Sequence, residues 1–552
     1  MNDHLQRLGD EYWEYRLEVG PTTALMLGDH RYGDRMEQVS RTAEDAHIAR
    51  LRDFAARAAS IDPAVLTDDE RISREVLVFV ATTEADDTES RGMEIAVNPA
   101  VGFQAMLPVI VPQLPITEPE HAEQLVDKYR DLGRMLGEMA ERLGEGVAGG
   151  RAPIDLHADE TADQVDAMLA VEPASSPLMA ARVPDVFDEA ATAAWRERLA
   201  GALADSVYPG LETYRDTIRD RVRPAARTTD RPGLSWLDGG EEAYARAIRR
   251  HTSLEMTAQE IHDIGLAQIE SLADEYRELG AEVLGTSDLE AIFSALRDDP
   301  SLHFSDGPSV VAASEIAMAK AKEAMGDWFG RLPVADCVVA ETPSGPLAFY
   351  FRPAEDGSRP GTFFVNTSDA TEWGTYEIEA MAYHEGIPGH HLQLAIAQEL
   401  KDVPSFRKHA FITAYAEGWG LYTERLADEM GLYSGPLERI GMLSADSMRA
   451  GRLVVDTGLH AMGWSRQQAI DFLVENSPMS VGKVAGEVDR YIGMPGQALS
   501  YMLGRLEIQR IRRDAEQAMG DRFDIKGFHD VVLGSGLVPL ETLDRMVREW
   551  AA

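Results

Sequence analysis

Apolar residues recur at three- and four-residue spacing along most of this chain, and that period commits it to packed helices. Leu125, Tyr129, Leu132, Met135 and Leu136 set one such stripe, and strong helix formers, Ala, Leu, Glu and Arg, dominate the surrounding sequence. The pattern predicts a mainly α, multi-helix architecture. Thr257-Ala-Gln-Glu260 has the form of a capping box, so a helix should start there and run through Ile261, Ile264, Leu266, Ile269 and Leu272. With 552 residues, 44% of them hydrophobic, the chain can bury more than one core, and two packed lobes are expected. A turn-rich segment over residues 224–240 marks the division, with an N-terminal helical region at 1–230 and a second region at 231–552. Residues 98–119 and 149–182 are interrupted by prolines, among them Pro153, Pro173 and Pro177, and read as loops or connections between lobes.

One segment departs from the helical period. Leu347-Ala-Phe-Tyr-Phe351 and Thr362-Phe-Phe-Val-Asn366 flank the turn-rich stretch 355–361, which predicts a β-hairpin. Its outer edge would offer a row of backbone donors and acceptors to an extended peptide.

Charge removes some partners. Against 53 basic residues stand 94 acidic ones, a formal charge of -41, which opposes approach to phosphate backbones and anionic bilayers. Neither nucleic acid nor a membrane is an expected partner. Cys337 is the single cysteine, so no intramolecular disulfide can form. The opening residues, MNDHLQRLGDEYWEYRLEVG, lack the basic, apolar and cleavage regions of a secretory signal. Nor does any apolar stretch reach bilayer-spanning length, so a cytoplasmic location is expected.

The chemistry is concentrated in His384-Glu-Gly-Ile-Pro-Gly-His-His391, followed by Glu417 in Ala-Glu-Gly-Trp. Imidazoles and carboxylates of this kind suit a catalytic zinc, which takes three protein ligands and keeps one position open, and the same ligands suit other divalent ions. In the short zincin pattern two histidines at i and i+4 share a helix face with a Glu between them, but here the i+4 position is Pro388. At about 100° per residue, His391 shares the face of His384 in a regular helix. Pro388 removes a helical hydrogen bond, however, and local unwinding there would rotate His390 back instead. Helical geometry leaves both histidines open. Glu417 lies on a second helical segment, Phe411 to Glu424, and two antiparallel helices joined around residues 402–405 would bring it beside the imidazoles. Glu424 shares its face as an outer partner, and Gly418, Trp419 and Gly420 imply close packing. Glu385 is the evident general base.

Tyr383-His-Glu-Gly-Ile-Pro-Gly-His-His-Leu-Gln393, Ala416-Glu-Gly-Trp419, Arg452 to His460 and Asp489 to Gln497 together resemble the bacterial family catalogued as domain of unknown function 885. The resemblance covers most of the chain. It implies kinship with gluzincin-like metallopeptidases, largely helical enzymes with a small sheet beside a deep cleft, some of them carboxypeptidases. Carried over residue by residue, it makes His384 and Glu417 zinc ligands and Glu385 the general base. It also favours His390 as the second histidine, because Gly389-His390 matches the family's Gly-His step after a two-residue insertion. On the same resemblance a donor to the developing oxyanion should come from later in the chain. Tyr501, after the turn Pro495-Gly-Gln, is the first choice, with Arg490 or His460 assisting. Arg490 has an alternative role in pairing with a neighbouring acid, and His460 one as a satisfied structural histidine.

The expected activity is zinc-dependent hydrolysis of short peptides, of carboxypeptidase or oligopeptidase type. Two other activities fit the same residues: a metal-dependent amidase or esterase, and a helical scaffold that binds metal or peptide without turnover. Glu385 beside the first ligand disfavours the scaffold.

Overall fold

The computed structural model describes every residue except Met1, Ser344, Glu355, Asp356, Ser358 and Asp402. The fold is mainly helical with one small sheet. Near the N-terminus three long helices, α1 (Asp3–Val19), α2 (Arg41–Ala59) and α3 (Asp68–Glu89), pack onto the second half of the chain. Their Leu5, Leu8, Phe54, Val76 and Leu77 join one core with Trp373, Tyr383, Trp419 and Ile508. A separate core forms within residues 25–222 around α4 (Pro119–Ala148), whose stripe of Leu125, Tyr129, Leu132, Met135 and Leu136 is buried as its spacing predicts. The first 230 residues therefore divide their packing between a core of their own and the core of the second half.

The capping box at Thr257 and Glu260 forms as expected and opens α5 (Ala258–Val283). Ile261 and Leu272 are buried on it, but Leu266 lies on its solvent face. The proline-interrupted stretches are more helical than their sequence indicates. Asp155–Leu169 and Phe103–Ile110 are both helices. Pro153 and Pro173 flank the former rather than interrupt it, and His157, Ala158, Thr161, Ala162 and Val165 give it a buried face. The segment at 224–240 is not a loose linker, because Arg227 bridges to Ile154 and the backbone N–H of Leu234 donates to His460.

After α6 (Gly307–Trp328) comes the sheet: β1 (Cys337–Thr342), β2 (Ala348–Phe351) and β3 (Gly361–Asn366), in the order β1-β3-β2. The β2–β3 pair is the expected antiparallel hairpin, with Phe349 opposite Phe364; three residues of its predicted connection, 355, 356 and 358, lie outside the described residues. β1 was not legible in advance. It pairs in parallel with β3 from Cys337 opposite Gly361, so β3 is central and the hairpin is closed on that side.

Five helices carry the candidate site's side chains. They are α7 (Ile378–Glu385), α8 (His390–Glu399), α9 (Thr413–Glu429), α10 (Pro436–Ala461) and α12 (Ser500–Met519); between the last two lies α11 (Val481–Gly493). α10 is buried almost without interruption from Ile440 to His460. α9 crosses α12 at Gly418 and Gly504, where the backbones touch: a methyl on Gly504 would lie 2.0 Å from the carbonyl oxygen of Ala414. Only glycine permits this crossing. Gly504→Ala should lower stability by about 2–4 kcal/mol in denaturant titration, at or above the usual cost of overpacking. Gly137→Ala, at a helical position with open space around it, should be neutral or stabilising.

Candidate metal centre

The segment that begins as α7 loses its helical course at Gly386. Residues 386–389 form a turn containing a cis Ile387–Pro388 bond, and α8 resumes at His390. Across the break the N–H of His391 reaches back to the carbonyl of Gly386 at 3.1 Å, one residue further than an α-helix allows. Both glycines are sterically required. A methyl on Gly389 would sit 1.9 Å from the His384 carbonyl oxygen, and one on Gly386 would sit 2.7 Å from the Ala382 carbonyl oxygen. The indole of Trp419 donates to the Pro388 carbonyl at 3.0 Å and fixes the turn from α9. The consequence is rotation of His390 toward His384, their ring centroids 4.7 Å apart at 85°.

Glu417 on α9 completes the group. Its Oε2 lies 3.8 Å from His384 Nε2 and 3.4 Å from His390 Nε2. Three ligands at about 2.0–2.1 Å around a tetrahedral zinc stand about 3.4 Å apart, so one nitrogen from each ring and one carboxylate oxygen fit the ion with little adjustment. All three potential ligand atoms fall within 4.8 Å of one another. His384 Nδ1 donates to Glu424 Oε1 at 2.7 Å, which fixes the tautomer that leaves Nε2 facing the other two. Close approach of α9 makes this contact: a methyl on Gly420 would lie 2.6 Å from the His384 ring.

Without a metal the cluster is a coupled acid–base set. Burial works against charge on His384, but Glu417 and Glu424 outweigh it and hold the imidazole up at about 9. Burial likewise opposes a charged Glu417, and hydrogen bonds from His384 and His390 hold its carboxyl well below the usual range. Metal uptake at neutral pH must therefore displace a proton from His384.

The remaining sequence-selected residues fall into two groups. Glu385 stays near the cluster, partly exposed, with no hydrogen bond or ion pair to its carboxylate among the described residues. Its charge acts on His384. Tyr501 also reaches the cluster: its ring is nearly parallel to that of His384 at 6.4 Å. Burial, and then the charge of Glu417, raises its phenol, so the group stays a donor.

His391 and His460 are committed elsewhere. Tyr350 donates to His391 Nδ1 at 2.9 Å and His391 Nε2 donates to the Ala335 carbonyl at 3.1 Å, which ties this ring to the sheet. His460 accepts from the Leu234 N–H at 3.2 Å and donates to the Tyr491 carbonyl at 3.0 Å. Burial holds both imidazoles at about 4, and thus neutral. Asp456, one turn before His460, faces Tyr244 and the Gly496 N–H instead. Arg490 pairs with Glu487 at 3.0 Å, the alternative raised by its sequence neighbours, and donates to Gln497 Oε1 at 2.7 Å.

Residues not singled out from the sequence also surround Tyr501. Gln497 Nε2 lies 3.5 Å from its hydroxyl, and the Arg452 guanidinium stacks 4.5 Å from its ring centre. Arg449, one turn before Arg452, lies 3.9 Å from Glu424. Two arginines three apart in the otherwise buried helix α10 were the available signal, since such charges are rarely buried without a partner.

A cavity of about 460 Å³ opens beside these elements, between α1 and α3 on one side and Phe406, Phe411 and Thr413 on the other. Gln497 is among its lining residues.

His390→Ala should abolish stoichiometric zinc binding by the purified protein, whereas His391→Ala should retain it and lose thermal stability. Glu424→Gln should weaken zinc affinity by about 10- to 100-fold, read by competition with a chelator. Zinc binding that survives His390→Ala and fails in His391→Ala would reverse the assignment.

Comparison with known proteins gives the fold and a family. The crystal structure of a "putative lipoprotein" from Colwellia psychrerythraea superposes with a TM-score of 0.93 at 25% identity, covering 99% of each chain. A "putative lipoprotein of unknown function" from Shewanella oneidensis superposes with a TM-score of 0.76 at 18% identity, again over 99% of each chain. No curated protein matches the chain. The family model described as "Bacterial protein of unknown function (DUF885)" matches residues 21–547, and the chain therefore belongs to that family.

Proposed function

We propose that the chain is a gluzincin-like zinc-dependent hydrolase acting on short peptides, with the ion held by His384, His390 and Glu417. The observation that carries this reading is an uncommitted carboxylate, Glu385, directly after the first of three groups, the two histidines buried and Glu417 half-buried, that are spaced as zinc ligands. A structural site has no use for such a base, and structural zinc usually takes four protein ligands rather than three.

When bound, zinc supplies Lewis acidity toward a water and a substrate carbonyl. The residues of the chain do the rest. Glu385 accepts the proton of the attacking water and returns it to the leaving nitrogen. Tyr501 donates a hydrogen bond to the carbonyl oxygen as negative charge develops there. Arg452, stacked on its ring, and Gln497, beside its hydroxyl, hold that phenol in place. Glu424 keeps His384 in the tautomer that presents Nε2. A cytoplasmic location belongs to this proposal; recovery of the protein in a membrane fraction would overturn that part. Among the described residues no helix is long and apolar enough to cross a membrane.

Zinc-loaded protein should hydrolyse members of a mixed library of short peptides and acyl amides. Glu385→Gln should keep the metal and lose about 10²- to 10⁴-fold in turnover. Tyr501→Phe should lower kcat by about 10²-fold with little change in KM, because the lost hydrogen bond forms in the transition state. Zinc binding with no Glu385-dependent hydrolysis would favour a scaffold, and cleavage confined to acyl amides or esters would favour the amidase reading.

A further inference from the structure

The cavity of about 460 Å³ has a composition that the metal centre does not account for. It falls within the span of about 300–1,000 Å³ typical of small-ligand sites. Its walls come from widely separated segments: Trp13 on α1, Phe79 on α3, and Phe406 and Phe411 from the connection between α8 and α9. Trp13 stacks on His409 at 4.9 Å and 13°, so part of the wall is a flat, fixed aromatic surface. Phe411 is 54% exposed, a large apolar side chain left in water at this position.

The cavity's charges are already matched. Arg16 is paired with Glu84, and Arg250 with Asp87. A charged ligand group would find no uncommitted counter-ion at these positions, whereas an apolar group would meet ring faces. Position ties the cavity to the chemistry. Thr413 lies one helical turn before Glu417 on α9, and Gln497 one turn before Tyr501. Two independent elements thus lead from the cavity lining to a metal-ligand candidate and to the oxyanion-donor candidate.

We propose that this cavity is a side-chain subsite that accepts an aromatic residue of a short peptide substrate. Resting on the peptidase reading for the identity of its ligand, the assignment adds a preference that the ligand set does not contain. The N-terminal helices thereby become part of the specificity apparatus, since Tyr12, Trp13 and Phe79 are three of the five Phe, Tyr and Trp residues that line the cavity.

The test is calorimetric binding of Ala-Ala-Ala, Phe-Ala-Ala, Ala-Phe-Ala and Ala-Ala-Phe to full-length Glu385→Gln protein, with and without zinc. At least one phenylalanine peptide should bind about 10- to 100-fold more tightly than Ala-Ala-Ala, as expected for removing an aromatic ring from water. Val80→Trp, which fills the cavity, should erase that preference while leaving Ala-Ala-Ala binding and zinc content unchanged. Phe411→Ala, at an exposed position that the fold tolerates, should reduce the preference by about 3- to 10-fold. Equal binding of all four peptides, or a preference that survives both substitutions, overturns the proposal. Hydrolysis without phenylalanine preference would remove this inference and leave the hydrolase intact; phenylalanine preference without zinc-dependent hydrolysis would do the reverse.

Discussion

The approach of α9 to its neighbours at van der Waals limits is the constraint on which the rest of the centre depends. Gly420 lies against the His384 ring, and Gly418 against Gly504 of α12. Side chains larger than hydrogen at these positions would push α9 outward. Glu417 and Glu424 would move with it, because both sit on that helix, and His384 would lose its outer hydrogen bond and the group spaced to share an ion with it. The same crossing presses Trp419 onto the Pro388 carbonyl, which holds the turn that aims His390. Ligand geometry, tautomer control and the shape of the turn are thus consequences of one helix packing distance.

Charge in the interior is organised around this packing. The chain is strongly acidic overall, yet Arg449, Arg452 and Arg490 gather near Tyr501, where Glu487 and Glu424 face them. Isolated buried guanidinium groups would be costly, and pairing reduces that cost. The arrangement keeps the Tyr501 ring in contact with Arg452 and within 6.4 Å of the His384 ring. Asp446 on α10, fully buried, repeats the device between Arg425 of α9 and Arg505 of α12.

Local rules carried well where a segment's own side chains decide its structure. The stripe on α4, the capping box of α5 and the β2–β3 pairing were all legible, because periodicity, capping and turn chemistry act over a few residues. β1 was not, since a parallel partner for β3 is chosen by a contact across more than twenty residues of chain. The helix Asp155–Leu169 was obscured for a different reason: its bordering prolines resemble those of a loop, and only burial of its inner face distinguishes the two. Arg452 and Gln497 lay within recognised motifs; Gln497 is one turn from Tyr501, but the relation of Arg452 to Tyr501 exists only once α10 and α12 are assembled.

The sequence by itself determined the helical class, the concentration of potential ligands in residues 384–417 and the candidate base Glu385, because each follows from residue chemistry and short-range spacing. Tertiary structure decided which histidine joins the cluster. The turn at Gly386–Gly389 interrupts the helical course, and across it His390 faces His384 while His391 is held by Tyr350 and Ala335. It also separated Tyr501, whose ring lies beside His384, from His460, whose nitrogens are both taken by backbone groups. The physical reason is common to both choices. A side chain's hydrogen-bond partners are set by the elements packed around it, and those come from parts of the chain that no local pattern connects.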